Sequence, residues 1–378
     1  MKWIMLAFTL FLCACGSDRP IDFACARFDE FRIPVPVTPG GPIRSAVAGS
    51  LDQVFAEAAA PTAGAAAIGP RPVNILVLSG GGKWGAYGAG LLDQWSRESD
   101  PVRPTFDVVT GVSTGALQST LAFIGTSADK DLVRAYTIDH EAQLVKRYGK
   151  LFFLTHGSTA SLKPLVEYAR AIAEPYFPRV AQEYHKGRRL MVGTVDALDG
   201  RMYAVDLTRI AAELQGKERS DCYVGALLAS AAIPFVFRQV TINGHPYFDA
   251  GVRHSVFLTG VQESAALGLD RQERQGNLYV VMNGVTGVSP RTTVKPTLFG
   301  ALGRLRELTF DQIEQNSVNA VSQQTPQLST WVVDADGHGC REDGSDEDIF
   351  NPQFMRCLIK AGRDRWKAGS PWQAYPKG

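Results

Sequence analysis

The chain has 378 residues, with 39 Lys and Arg against 38 Asp and Glu. That balance excludes a protein that grips nucleic acid mainly by basic charge. Hydrophobic residues make up 45% and charged residues 20%, which fits a globular chain with a large core rather than a disordered or many-span one. No apolar run reaches the roughly 18 residues that a spanning helix needs.

In chain order, Lys2 precedes an apolar stretch from Trp3 to Leu12, too short to cross a bilayer and suited to the core of a secretory signal. Leu12-Cys13-Ala14-Cys15 then resembles the lipobox of bacterial lipoproteins. The resemblance implies removal of residues 1–14 and lipidation of Cys15, a tether to the membrane without a spanning segment. An ordinary signal peptide is the alternative. Gly16 rather than Asp after Cys15 favours the outer membrane of a bacterial cell envelope. Residues 15–70, rich in Pro, Ala and Gly, are expected to be a tether. Export would permit disulfides among Cys25, Cys222, Cys340 and Cys357. Four cysteines allow three pairings, and the 17-residue spacing of Cys340 and Cys357 suits a local staple. No Cys-x-x-Cys points to a metal.

From Val73 the texture changes. Val73 to Leu78 is a short apolar run bounded by Pro72 and Gly80, the mark of a buried strand. Similar runs are Phe106 to Val112, Leu190 to Val195, Phe235 to Ile242, Leu278 to Met282 and Thr330 to Val333. Helical patterns lie between and after them: Ala86 to Arg97, Thr114 to Phe123, Leu162 to Ala173, Leu298 to Val321 and Pro352 to Trp366. Asn351 before Pro352 reads as an N-cap with Pro at the first helical position. The alternation predicts an α/β fold, a mainly parallel sheet with helices on both faces. Residues 71–372 are expected to form this domain, and 373–378 a tail.

Ser79 to Gly85 joins the first strand to a helix. Gly80-x-Gly82-x-x-Gly85 formally matches a dinucleotide fingerprint. A Walker loop fails because Trp84 follows Lys83. Bare glycine N–H groups at a helix start also suit an oxyanion hole, and a plain tight turn is the bland alternative. Gly111-Val112-Ser113-Thr114-Gly115 is a Gly-x-Ser-x-Gly set between a strand and a helix, the frame of a nucleophile elbow. Ser113 then projects at the carboxyl edge of the sheet, where a helix N-terminus favours attack. A serine needs a base. None of His140, His156, His185, His245, His254 and His338 sits in a catalytic motif, although His254 follows Asp249 closely. Asp249-Ala250-Gly251 is the other candidate, because a carboxylate in apolar surroundings has a raised pKa.

These residues resemble the patatin-like phospholipase family. Gly80 to Gly85 is similar to its Gly-Gly-Gly-x-Arg-Gly loop, Gly111 to Gly115 to its elbow, and Asp249-Ala250-Gly251 to its aspartate block. Ala229 to Phe235 is similar to its Ala-Ser-x-Ala-x-Pro segment. The blocks come in the family's order and, with the helix from Phe350 to Trp366, cover about residues 72–370. The resemblance implies a layered α/β/α fold and hydrolysis of acyl esters of lipids by a Ser113–Asp249 dyad, without catalytic His, metal ion or other cofactor. It assigns Gly80, Gly81, Gly82 and Gly85 to the oxyanion loop, with Gly81 and Gly82 as donors and Gly80 and Gly85 shaping the turn. Gly111, Gly115 and Gly251 support the motifs. The expected partners are a lipid or acyl-ester substrate and a membrane reached through the N-terminal anchor, with no nucleic acid. Two departures stand out. Trp84 occupies the usual basic position, with Lys83 one place earlier, and Ala250 replaces a Gly.

Glu342, Asp343, Asp346, Glu347 and Asp348 lack the spacing of a Ca²⁺ loop and read as a solvated loop. Arg356, Lys360, Arg363, Arg365 and Lys367, with Trp366 and Trp372, offer contact with anionic lipid or an ordinary charged helix face. The rival functions are a catalytically silent surface lipoprotein that binds lipid or protein, and an esterase with a Ser-His-Asp triad.

Overall fold

The computed structural model describes residues 20–35, 72–148, 152–153, 156–258, 276–288, 297–325, 328–341 and 349–376. Residues 1–14, Cys15 and the acidic cluster 342–348 lie outside the described residues.

Among the described residues the main sheet has eleven strands. Alternation along β3 (Val73–Leu78) shows how the layers arise. Val73, Ile75 and Val77 join one buried cluster, while Leu76 and Leu78 join another on the opposite face. Every second side chain thus faces a different layer, so the strand is apolar throughout. The parallel core has the order β7 (Arg189–Asp196), β4 (Val108–Gly111), β3, β12 (Gly276–Val281) and β13 (Leu328–Val333). The face of Leu76 and Leu78 is covered by α2 (Gly85–Trp95), α3 (Thr114–Ile124), α8 (Gly216–Ser230) and α10 (Pro352–Asp364). On the second face lies α9 (Leu298–Gln324), through Val318 and Val321. The expected α/β fold with a mainly parallel sheet and helices on both faces is therefore present.

Antiparallel strands extend this core. They are β8 (Met202–Asp206) and β11 (His245–Asp249) on β7, β10 (Val240–Ile242) on β11, and β14 (Gln373–Ala374) on β13. The run from Phe235 to Ile242, expected as one strand, divides. Its first part, β9 (Phe235–Phe237), pairs with β6 (Ser158–Ser161) in a small second sheet. Phe235 has φ 67, so the chain enters this segment through a left-handed residue and changes partner sheets after Phe237.

Two expectations for the ends are corrected. Residues 20–35, expected within the tether, dock on the domain. They form β1 (Ile21–Phe23), parallel to β10, the short α1 (Phe28–Phe31), and β2 (Arg32–Pro34), antiparallel to β8. Phe23, Phe28 and Phe31 are buried, and Cys25 is bonded to Cys222 of α8. The Asn243 side chain accepts the Cys25 N–H at 2.9 Å and donates to the Cys25 carbonyl. A composition rich in Pro, Ala and Gly over the whole stretch conceals these three aromatic anchors. At the other end, Gln373 and Ala374 pair with Val332 and Trp331, so part of the expected tail completes the sheet.

The C-terminal helix engages much of its charge in contacts within the fold. Asn351 caps α10 by accepting the Phe354 N–H at 2.9 Å. Arg356 donates to the Ile138 carbonyl, Arg363 pairs with buried Asp93 at 2.7 Å, and Lys360 and Lys367 pair with Asp364. Trp366 and Trp372 are buried against Trp95. Among the described residues, no helix is long and apolar enough to cross a membrane.

Candidate active site

The strand pairing of β7 brings the two motif ends together. Strand β8 pairs with Met191 to Val195 and so occupies one edge of β7 along that length. Both β4, through Gly111 opposite Val192, and β11, through Asp249 opposite Thr194, must then share the other edge. The first runs parallel to β7 and the second antiparallel. They advance toward each other end to end, and their carboxyl ends meet at Gly193. Ser113 lies two residues beyond β4, and Asp249 ends β11. A parallel strand and an antiparallel strand abutting on one edge thus converge residues 136 positions apart in sequence.

Ser113 sits in the sharp turn expected of an elbow, with φ 55 and ψ −121. Such backbone costs a non-glycine residue about 1–3 kcal/mol, so its surroundings must hold it. They do so tightly. A Cβ on Gly115 would fall 2.3 Å from the Leu78 carbonyl oxygen, and one on Gly111 would fall 2.5 Å from the Gly115 oxygen. The Ser113 carbonyl accepts the Ala116 N–H at 3.0 Å, and the Ser113 N–H donates to the Ser230 hydroxyl at 3.0 Å. Ser113 is only 5% exposed and caps the start of α3, where the helix end favours negative charge.

Asp249 is 1% exposed. Its Oδ1 accepts the Gly251 N–H at 2.7 Å, a Cβ on Gly251 would crowd that Oδ1 at 3.0 Å, and the Asp249 main-chain N–H donates to the Ala232 carbonyl at 3.1 Å. Oδ2 is buried and makes no hydrogen bond among the described residues. Burial pushes the carboxyl up from its ordinary 3.8 to about 7, and the Ser113 hydroxyl and the Gly251 N–H pull against that rise. The serine is therefore near enough to influence the carboxylate, although the geometry stops short of a completed hydrogen bond. The segment Ala229 to Phe235 has a clear place: Ser230 holds the serine's main chain and Ala232 holds that of the aspartate.

The Gly-rich loop lies beside the elbow, because a Cβ on Gly80 would sit 3.5 Å from Ser113 Cβ. Gly80 spends its N–H on the Ser255 carbonyl at 3.2 Å, and Gly85 spends its own on the Gly82 and Lys83 carbonyls, so these two shape the turn. Gly81 has φ 143 and Gly82 φ 57, and neither N–H finds an acceptor among the described residues. Only glycine fits at 81, where a Cβ would strike the Asn283 carbonyl oxygen at 1.8 Å.

Three supports escape sequence reading. Buried Asn283 donates to the Ser79 carbonyl at 2.9 Å and to Gln118 Oε1 at 3.0 Å, while Gln118 Nε2 donates to the Gly85 carbonyl. Tyr136 donates to the Thr114 carbonyl at 2.9 Å. None of them lies in a motif, and their partners are far away in sequence. An apolar cavity of about 50 Å³ opens beneath α3, lined by Thr114, Leu117, Tyr136, Tyr168, Leu227 and Met355 among others. No histidine is hydrogen-bonded to Ser113 or Asp249 among the described residues. His254 donates its main-chain N–H to Ala250, and His245 pairs with Asp196. Among the described residues no group of three or more His, Cys, Asp or Glu could hold a metal ion.

Comparison with known proteins gives a family match. The profile described as Patatin-like phospholipase matches residues 76–260, a span that holds the loop, the elbow and the aspartate block. No curated protein matches the chain closely enough to count. Solved structures similar to it include VipD from Legionella pneumophila, at 13% identity over 81% of this chain and 68% of that one, with a TM-score of 0.41. Another is the type III effector protein ExoU, at 14% identity over 79% of this chain and 54% of that one, with a TM-score of 0.25.

Proposed function

We propose, from the premise that residues 76–260 of this chain belong to the patatin-like phospholipase family, that the protein is a lipid acyl hydrolase working through Ser113 and Asp249. The observation that carries this reading is Asp249 Oδ2. It is a buried oxygen without a hydrogen-bond partner among the described residues, on a carboxyl close to Ser113 and raised to about 7. An acceptor so placed takes the serine proton directly, without an intervening imidazole.

In this reading, Asp249 accepts the Ser113 proton as Oγ attacks the ester carbonyl. The negative oxygen of the tetrahedral intermediate is received by the Gly81 and Gly82 N–H groups, which meet no acceptor among the described residues. Asp249 returns the proton to the leaving alcohol, which departs and leaves an acyl-serine. Water then repeats the sequence, giving its proton to Asp249 and releasing the fatty acid and the free Ser113 hydroxyl. The apolar cavity along α3 supports a substrate with an apolar acyl group. No step calls on a metal ion or other cofactor.

The chain is further proposed to be anchored through Cys15 in a bacterial cell envelope, residues 20–35 docking on the domain just after the lipid. Two disulfides among the described residues support an exported protein. Fractionation of a Cys15→Ala variant tests this, with release from membranes expected.

For the chemistry, the test is fluorophosphonate labelling together with hydrolysis of a panel of phospholipids, lysophospholipids and soluble esters. Ser113→Ala is expected to lose both labelling and turnover. Asp249→Asn should lose about three orders of magnitude or more in turnover while staying folded. Wild-type turnover in both variants would sink the dyad. A wild-type protein that binds lipid but neither labels nor hydrolyses would favour the silent-lipoprotein alternative.

A further inference from the structure

Trp84 brings the largest side chain to a loop otherwise made mainly of glycines. Its ring meets His338 edge-on at 5.0 Å and 89°, and Phe354 at 5.1 Å and 88°. Lys83 beside it lies over the same Phe354 ring, with Nζ 5.2 Å from the centroid. His338 belongs to the turn after β13, and Phe354 to the first turn of α10. Those two segments are joined covalently by the Cys340–Cys357 disulfide, whose Cα atoms are 5.8 Å apart. Cys340 donates its N–H to His338 Nδ1 at 2.9 Å, and Cys357 lies three residues after Phe354 on the helix. The bridge therefore fixes the spacing of the two rings that grip Trp84. On its inner side, Trp84 donates its N–H to the Gly81 carbonyl at 3.1 Å, closing the turn that presents the Gly81 and Gly82 N–H groups.

We propose that the Cys340–Cys357 bridge, His338 and Phe354 form a clamp on Trp84 that aims the oxyanion donors of Gly81 and Gly82. The inference rests on the acyl-hydrolase reading above and adds to it a set of positioning residues outside the motifs. The physical need is clear. Glycine backbone has the most conformational freedom to lose, and a Cβ on Gly82 would meet nothing within 4 Å among the described residues, so this donor has no neighbour on that side to hold it. Oxyanion donors work only within a few tenths of an ångström of their target. Two edge-to-face ring contacts anchored by a covalent staple restrict the loop without filling the space the substrate needs.

The test uses the mature full chain as wild type, Trp84→Ala, Trp84→Phe and the double variant Cys340→Ser/Cys357→Ser. Hydrolysis of p-nitrophenyl butyrate gives kcat and KM, and amide hydrogen exchange follows the peptide covering Gly80 to Gly85. The clamp predicts that Trp84→Ala lowers kcat about tenfold or more with KM within about twofold, and that the double variant loses kcat several-fold. Trp84→Phe should recover most of the rate, and exchange in the loop should quicken in the two damaged variants. Unchanged kcat in Trp84→Ala and the double variant, beside a Ser113-dependent wild type, overturns the proposal. So does a rate loss that merely follows a fall in Tm and is not recovered by Trp84→Phe. Loop exchange identical to wild type also overturns it, and does so whether or not the protein turns over ester. Absence of turnover in wild type with quickened exchange in the variants counts instead against the acyl-hydrolase reading.

Discussion

At the elbow, residues 111–115 are held chiefly by crowded main chain, the Leu78 carbonyl against Gly115, Gly115 against Gly111 and α3 hydrogen-bonded back to Ser113, with the Ser230 and Tyr136 hydroxyls added. At the Gly-rich loop, where a Cβ on Gly80 would sit 3.5 Å from Ser113 Cβ, main chain confines Gly80 and Gly81, but the remaining supports are side chains: Asn283, Gln118, and the rings of His338 and Phe354 on Trp84. The elbow is thus defended by steric exclusion, which tolerates nothing larger than hydrogen at two positions. The loop has one such position, Gly81, and is otherwise held by hydrogen bonds and ring contacts recruited from the segments after β12 and β13, from α3 and from α10, each worth about a kcal/mol. The difference teaches that the nucleophile's place is locally encoded, whereas the donors' place is adjustable from a distance.

The largest expected effect comes from attacking the exclusion. Gly115→Ala puts a methyl carbon 2.3 Å from the Leu78 oxygen. Because the obstacle is backbone in the central sheet, a loss upward of about 4 kcal/mol is expected in urea unfolding, with no turnover left. Near-wild-type stability would show that the elbow is softer than this comparison holds.

Next is the charge between the two loops. Asp249 is raised in the folded state, so its neutral form adds stability that is complete below the unfolded value near 3.8 and lost as pH rises through about 7. The loss amounts to at most about 4 kcal/mol. Asp249→Asn should therefore exceed wild type in unfolding free energy at pH 8, with the gap closing toward pH 4. Wild-type turnover should climb with pH through about 7, the reverse of its stability. A gap that is independent of pH would remove Asp249 as the titrating group.

A smaller effect is expected on the side-chain-held loop. Asn283→Ala frees the Ser79 carbonyl and Gln118, costing about 1–3 kcal/mol of stability. Its kcat should fall about tenfold while KM changes little, as misaimed donors act in the transition state rather than on the bound ester. A loss confined to KM would place Asn283 against the substrate instead of behind the loop.

Legibility in the sequence followed the same division. The elbow, the glycines and Asp249 could be found from contiguous letters, because each turn demands small residues at fixed local spacing. Strands β3, β4, β7, β12 and β13 could be found because a strand buried on both faces must be apolar throughout. Antiparallel β8 and β11 and helix α8 were not drawn, and the docked arm at residues 20–35 was hidden by its Pro-rich surroundings. Asn283 and Gln118 carry no local signature: they bond each other across 165 residues, and their other partners lie 204 and 33 residues away.

By itself, then, the order of amino acids determined the layered α/β plan, the elbow and the glycine turn, since backbone sterics act over a few neighbouring residues. Only the tertiary structure decided how the ends of the Ser113 and Asp249 strands converge, because that depends on β4 and β11 abutting along one edge of β7. It also decided the pairing of Cys25 with Cys222 and the surroundings of Trp84, for such contacts arise only when distant segments share a surface and exclude water between them.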